Sequence, residues 1–260
     1  MISMKSSLLS SGLSSWRTPP SKGPPRVPVF LFIQFCADRR SAQLCNSLKR
    51  FSMSIEGNVK EEKQAIRKQL RATLSTLSDD YILQSSQKVA SQLFELPQYK
   101  ASKGVACFLS MPKEFNTRSI LEKIFMDGKS CYLPRVESVR DSAMVMLKAE
   151  SMQDVDSFPP GKWNIPEPPR SGPARLEALD SSSDLDLVIV PGLGFDYKNG
   201  RLGQGAGFYD RYLSRMKQTH VSKKVFLVGV TLDELMIESV PRDDNDMLMD
   251  VVLWPSKPNA

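Results

Sequence analysis

The run Asp184 to Leu213, "DLDLVIVPGLGFDYKNGRLGQGAGFYDRYL", constrains the fold more than any other stretch of the chain. Leu185 to Val190 is apolar almost throughout, the pattern of a strand covered on both faces in a parallel sheet. Glycines follow Pro191, and from about Gly207 the residues Phe208, Tyr209, Tyr212, Leu213 and Met216 recur at helical spacing. The glycines therefore lie between a strand end and a helix start. There, backbone amides can approach an anion with no Cβ in the way, and the helix N-terminus adds partial positive charge. In open α/β sheets this is also where ligands bind.

The loop is not a Walker sequence, because GxxxxGK[ST] is absent, and GQGAG does not fit the dinucleotide spacing G-x-G-x-x-G. A tight turn explains glycine content as readily as a phosphate does. Asp210 adds weight to the ligand reading: an acid in the first helical turn ordinarily complements the dipole, but beside phosphates it can hold Mg²⁺.

The rest of the body alternates. Lys60 to about Leu74 carries Ile66, Leu70 and Leu74 at spacing four and reads as an amphipathic helix, with Lys63 and Arg67 a solvated basic stripe. Ser78-Asp79-Asp80 caps a second helix that ends near Leu96, before Pro97. "GVACFLS", "SCYLP", "AMVMLKA", "VFLVGV" and "DVVLW" read as strands and Thr117 to Met126 as a helix. Glu150 to Asp184, rich in Pro, Ser and Gly, reads as a long surface excursion. The acidic run "PRDDNDMLMD", with Asp243, Asp244, Asp246 and Asp250, reads from its spacing as a solvated turn. Apolar strands alternating with helices predict a single-domain, three-layer α/β/α fold around a mainly parallel, Rossmann-like sheet.

Side-chain counts exclude much chemistry. His220 is the only histidine and falls near a helix end, with no Ser or Cys motif around it, which argues against a Ser-His-Asp triad or a His-based metal site. Cys107 and Cys131, the two cysteines of the body, suit neither a disulfide framework nor a zinc knuckle. Any metal would be a hard cation held by carboxylates and phosphate.

Charge separates a tail from this body. Residues 1–52 hold eight Lys and Arg against one acid, Asp38, a +7 that exceeds the whole chain's +6 and leaves the body near −1. The basic character therefore gives the body no nucleic-acid footprint. A basic, Ser-rich, acid-poor tail matches a transit peptide, with Arg50-Phe51-Ser52 as a processing site and 53–260 as the folded domain. Val29 to Phe35 is too short to span a bilayer and sits badly for a signal peptide. The alternative is a disordered extension. The destination is a mitochondrion or, alternatively, a plastid.

The motifs "KQAIR", "FLSMPKE", "WNIPEP", "PGLGFD", "RLGQGAGFYDRYL" and a C-terminal "ND", in that order over residues 58 to 254, resemble the 5-formyltetrahydrofolate cyclo-ligase family. The RLGxGxGxYDRxL string is the specific one. The resemblance implies ATP- and Mg²⁺-dependent conversion of 5-formyltetrahydrofolate to 5,10-methenyltetrahydrofolate, with release of ADP and phosphate, by a monomer acting on a polyglutamylated small molecule. It implies that Lys63, Gln64, Ala65, Ile66 and Arg67 grip the nucleotide together with Arg201, Leu202, Gly203, Gln204, Gly205, Ala206, Gly207, Phe208 and Tyr209. Leu109 and Glu114 would contact the folate, as would Gln204 to Phe208, with Met111 and Trp163 as further lining. Asp210 and Asp246 would hold Mg²⁺, and Tyr209 and Arg201 would be catalytic. Some family members carry a cation in the loop where this chain has Gln204 and Ala206. Competing readings are another ATP-dependent ligase or kinase using the same loop, and a silent folate- or nucleotide-binding module.

Overall fold

The computed structural model describes residues 59–219, 224–243 and 246–258, so the tail expectation, His220 and Asp244 lie outside the described residues. Helix α1 runs over 59–76. Its residues Leu70 and Leu74 are buried and Ile66 packs against the same core, as the four-residue spacing predicts. Helix α2 spans Asp79–Glu95; the Ser78 hydroxyl accepts from the Tyr81 amide at its start, and Asp79 and Asp80 occupy its first turn. A short helix α3, Pro97–Ala101, begins on the proline that ends α2.

The main sheet contains β1 (Gly104–Ala106), β2 (Ser130–Ser138), β3 (Ala143–Ala149), β4 (Leu185–Val190), β7 (Phe226–Val230) and β9 (Val251–Leu253) in the order β3-β2-β1-β4-β7-β9. Helix α4, Arg118–Met126, connects β1 to β2. Pairings are parallel except for β2 with β3, a hairpin that makes one edge antiparallel. The predicted strand from Gly104 is shorter than expected. After Ala106 the chain leaves the ladder, although the Cys107 amide still donates to the Tyr132 carbonyl at 2.9 Å.

Apolar side chains on the two faces form two core clusters. One includes Val105, Ile120, Leu187 and Val228; the other includes Tyr132, Val188, Leu213 and Val252. Each buried Val, Leu or Ile contributes about 1.5–3 kcal/mol. Helix α6, Phe208–Thr219, buries Tyr212, Leu213 and Met216 against the second cluster.

Two expectations need correction. The glycine-rich stretch is not loop alone: β5 (Gly194–Asp196) and β6 (Arg201–Leu202) pair antiparallel within it, and β8 (Met236–Ile237) joins β5 in a separate three-stranded sheet. Asp196 makes this possible. It is fully buried, and its carboxylate accepts from the amides of Lys198 (2.9 Å), Gly200 (2.7 Å) and Val240 (2.9 Å). The segment after Glu150 is not a surface excursion throughout. It forms helix α5, Met152–Asp156, and a 3-10 turn, Lys162–Asn164, while Val155, Phe158, Ala178 and Leu179 enter the core.

Candidate active site

Strand order runs outward from β1 to β3 on one side and from β4 to β9 on the other, so it reverses between β1 and β4. A crevice at the C-terminal ends of strands is expected at such a reversal. A cavity of about 500 Å³ lies there. The chain beyond β1 lines it with Leu109, Met111 and Glu114, the chain beyond β4 with Pro191 to Leu193, and the end of β7 with Val230 and Thr231. Arg201, Gly203, Gln204, Ala206, Phe208, Tyr209 and Asp210 complete much of the lining, with Trp163. Most of this surface is apolar. Trp163 meets Phe208 edge to face, with centroids 5.7 Å apart, and stands in a left-handed backbone conformation (φ 56°).

Helix α1 holds the glycine loop. Lys63, Arg67 and Arg71 follow one another at four-residue spacing, hence on one face. Arg67 Nε donates to the Gly203 carbonyl at 2.9 Å, and Arg71 Nη2 donates to the Gln204 carbonyl at 3.1 Å. Beyond these anchors Gly205 (φ 109°) and Gly207 (φ 75°) adopt conformations that L residues rarely reach, which explains two of the glycines. Lys63 turns to the acidic run, donating to Asp243 at 2.8 Å and Asp246 at 2.5 Å. Burial lowers the Lys63 pKa, but the two carboxylates outweigh it and the net shift is upward. The expected solvated turn is thus tied by ion pairs to the expected solvated stripe. Burial, with Arg71 nearby, lowers the Arg67 pKa, against which Asp246 and Asp210 both act; Arg67 therefore lies within the field of both acids.

Arg201 is buried at 5 % exposure, bonded through Nη2 to Asp210, with its guanidinium carbon 5.9 Å from the Tyr209 ring centroid. Of six buried side-chain atoms with no hydrogen-bond partner among the described residues, three belong to residues lining the cavity: Arg201 Nε, the Tyr209 hydroxyl and Thr231 Oγ1. Unpaired buried polar atoms are uncommon and costly, and their gathering in residues that line one cavity marks a place for a polar ligand. Burial raises the Tyr209 pKa strongly, so its phenol stays protonated and can donate. Burial also raises the Glu114 pKa, while a bond from Gln204 acts the other way.

Of the residues implied by the resemblance, Leu109, Met111, Glu114, Trp163, Arg201, Gly203, Gln204, Ala206, Phe208, Tyr209 and Asp210 line the cavity, Arg67 reaches it through Gly203, and Lys63 pairs with Asp246 next along α1. Others face away from it. Gln64 and Ala65 are exposed on α1, Ile66 packs into the core, and Leu202 is buried at 1 %. Arg71, Asp243 and Asp196 were not picked out for the site. Arg71 could have been found as the next step in the four-residue series. Asp196 begins the sequence Asp-Tyr-Lys-Asn-Gly, a turn signature.

No group of three or more His, Cys, Asp and Glu side chains gathers at one point among the described residues. Asp210 and Asp246 are carboxylates of the kind that Mg²⁺ takes, and both lie within the field of Arg67, while here Arg201 bonds to the first and Lys63 to the second. That ion usually takes one or two carboxylates, with substrate phosphate and water completing its octahedron. Loop amides and three cations suit phosphates, and an apolar slot with a carboxylate suits a flat ring bearing N–H donors. No described helix is long and apolar enough to cross a membrane.

The sequence model of the 5-formyltetrahydrofolate cyclo-ligase family matches residues 59–255. A 5-formyltetrahydrofolate cyclo-ligase of Mus musculus is 36% identical over 200 residues, which cover 77% of this chain and 97% of that protein. A mitochondrial 5-formyltetrahydrofolate cyclo-ligase of Arabidopsis thaliana is 29% identical over 211 residues, 75% of each chain. Among solved structures, a 5,10-methenyltetrahydrofolate synthetase of Aquifex aeolicus superposes with a TM-score of 0.59 at 28% identity, covering 76% of this chain and 95% of that one.

Proposed function

The chain belongs to the 5-formyltetrahydrofolate cyclo-ligase family and is a ligase; from that premise we propose that it converts 5-formyltetrahydrofolate to 5,10-methenyltetrahydrofolate at the cavity above β1 and β4, consuming ATP. The observation that carries the proposal is that α1, through Arg67, anchors a glycine loop which lines one largely apolar cavity together with the unpaired Tyr209 and Arg201 atoms.

A formamide oxygen is a poor leaving group. Transfer of the γ-phosphoryl to that oxygen gives an N5-iminium phosphate and ADP. N10 then attacks the one-carbon centre, loses its proton and closes the ring, and phosphate departs with the oxygen. Such a reaction asks the protein mainly for alignment and charge neutralisation. Lys63 and Arg67 carry charge toward the nucleotide phosphates, and the amides of Gly203 to Gly207 offer donors without side-chain obstruction. Arg201 neutralises charge on the phosphoryl in transit. The protonated Tyr209 phenol donates to the oxygen that receives it. Leu109, Met111 and Trp163 bound the pterin slot, where Glu114 accepts from the ring N–H edge. Asp210 and Asp246 would hold Mg²⁺, which supplies further neutralisation of the phosphates when bound.

Residues 1–52 would deliver the enzyme, a monomer, to mitochondria, with plastids the alternative. The polyglutamylated form of the folate would be the natural substrate. The test is near-ultraviolet detection of the methenyl product with 5-formyltetrahydrofolate and Mg²⁺, with and without ATP. Product only with ATP supports the proposal. A folded protein that binds both ligands and makes none would leave a binding module.

A further inference from the structure

One hydrogen-bonded chain runs from the exposed face of α1 into the lining of the cavity. Arg71 Nη2 donates to Gln204 Oε1 at 3.0 Å, with Nε at 3.4 Å, and the same Nη2 reaches the Gln204 carbonyl at 3.1 Å. On the far side of the amide, Gln204 Nε2 donates to Glu114 Oε1 at 3.1 Å. Three segments far apart in sequence are thereby joined: α1, the glycine loop and the chain beyond β1.

The chemistry of this chain has a direction. A guanidinium can only donate, so Arg71 requires the amide oxygen to face it. The amide nitrogen, which can only donate, must then face Glu114. A carboxylate that receives a donor is favoured in its ionised, accepting form. Gln204 itself is exposed on the loop, whereas burial works against ionisation of Glu114.

We infer that Gln204 is a positioning residue for the folate, its amide polarity set by Arg71 so that Glu114 is held as an acceptor for the pterin N–H edge. This inference rests on the folate reading of the cavity. It gives the uncharged loop residue a purpose: a cation in its place would repel Arg71, and an acid would repel Glu114. Ala206, the other neutral position of the loop, takes no part.

The decisive variant is Gln204→Glu, which keeps the side-chain length and an acceptor for Arg71 but turns an oxygen toward Glu114. Binding of 5-formyltetrahydrofolate to the full chain is followed by titration calorimetry, with circular dichroism to confirm the fold. Loss of one charge-assisted bond and its replacement by repulsion predict that Gln204→Glu weakens binding about tenfold or more, while Gln204→Ala and the exposed Arg71→Met weaken it about threefold. In a Glu114→Gln background, where no carboxylate remains to be repelled, the further effect of Gln204→Glu falls below about threefold. Binding by Gln204→Glu as tight as wild type overturns the inference, as does an equal penalty in both backgrounds. If the wild-type chain fails to bind the folate, the reading of the cavity falls first and the inference with it.

Discussion

The two ends of the main sheet each hold a tyrosine hydroxyl among polar side chains, and they use it in opposite ways. At the N-terminal ends of β2 and β4, the Tyr132 hydroxyl donates to Asp184 at 2.7 Å and receives from Ser183 at 3.2 Å, while Ser130 Oγ donates to the other Asp184 oxygen at 2.8 Å. Ser183 also accepts from the Leu185 amide at 3.1 Å. Every donor there is answered. At the C-terminal ends, Tyr209, Arg201 and Thr231 keep buried atoms without partners around a cavity. Burial raises both phenols, so neither ionises near neutrality. What separates them is the partner. A closed network stabilises and specifies the fold, whereas an open one leaves polar atoms for a ligand.

The sharpest contrast comes from one acid at each end. Asp210→Asn keeps an acceptor for Arg201 but removes the charge, and turnover should fall about a thousandfold with the circular-dichroism spectrum unchanged. Asp184→Ala strands two hydroxyl donors. It should lower unfolding free energy by about 2 kcal/mol, read from denaturant titration, with kcat within about twofold of wild type. Loss of kcat in Asp184→Ala would break the comparison.

Smaller effects refine it. Arg67→Ala removes the anchor of Gly203 together with a cation, and the KM for ATP should rise about tenfold. Tyr209→Phe should lower kcat about fivefold without loss of stability, because the hydroxyl has no protein partner to lose; Tyr132→Phe should do the reverse. Last, Glu114 presents both oxygens as charged acceptors to the pterin only when ionised, and its pKa is raised in the folded protein chiefly by burial. Folate affinity should therefore be full above that raised value and decline as pH falls through it, beginning above the range of an ordinary glutamate. Glu114→Gln should flatten the profile.

Much of this was legible in the sequence because apolar periodicity is a local signal. The 59–76 helix, the strand Leu185–Val190 and the helix from Phe208 follow from spacing alone. The short strands β5, β6 and β8 were not, since residues as few as Arg201 and Leu202 carry no period and are fixed by Asp196 reaching Val240 across the fold. The same holds for the site. Glycines between strand and helix pointed to the anion loop, but Lys63 and Asp246 each read as a solvated charge until the fold placed them 2.5 Å apart. Separation in sequence concealed their pairing. Arg71 was missed for a different reason, as one more cation on a helix that already had many.

The most direct test is amide hydrogen exchange, read by mass spectrometry, on the full chain with and without 5-formyltetrahydrofolate and a non-hydrolysable MgATP analogue. Ligands seated at the open end should slow exchange over residues 109–114 and 203–209 and leave 130–132 and 183–186 unchanged. Protection at the closed end, or none at 203–209 with both ligands bound, would contradict the placement of the active site.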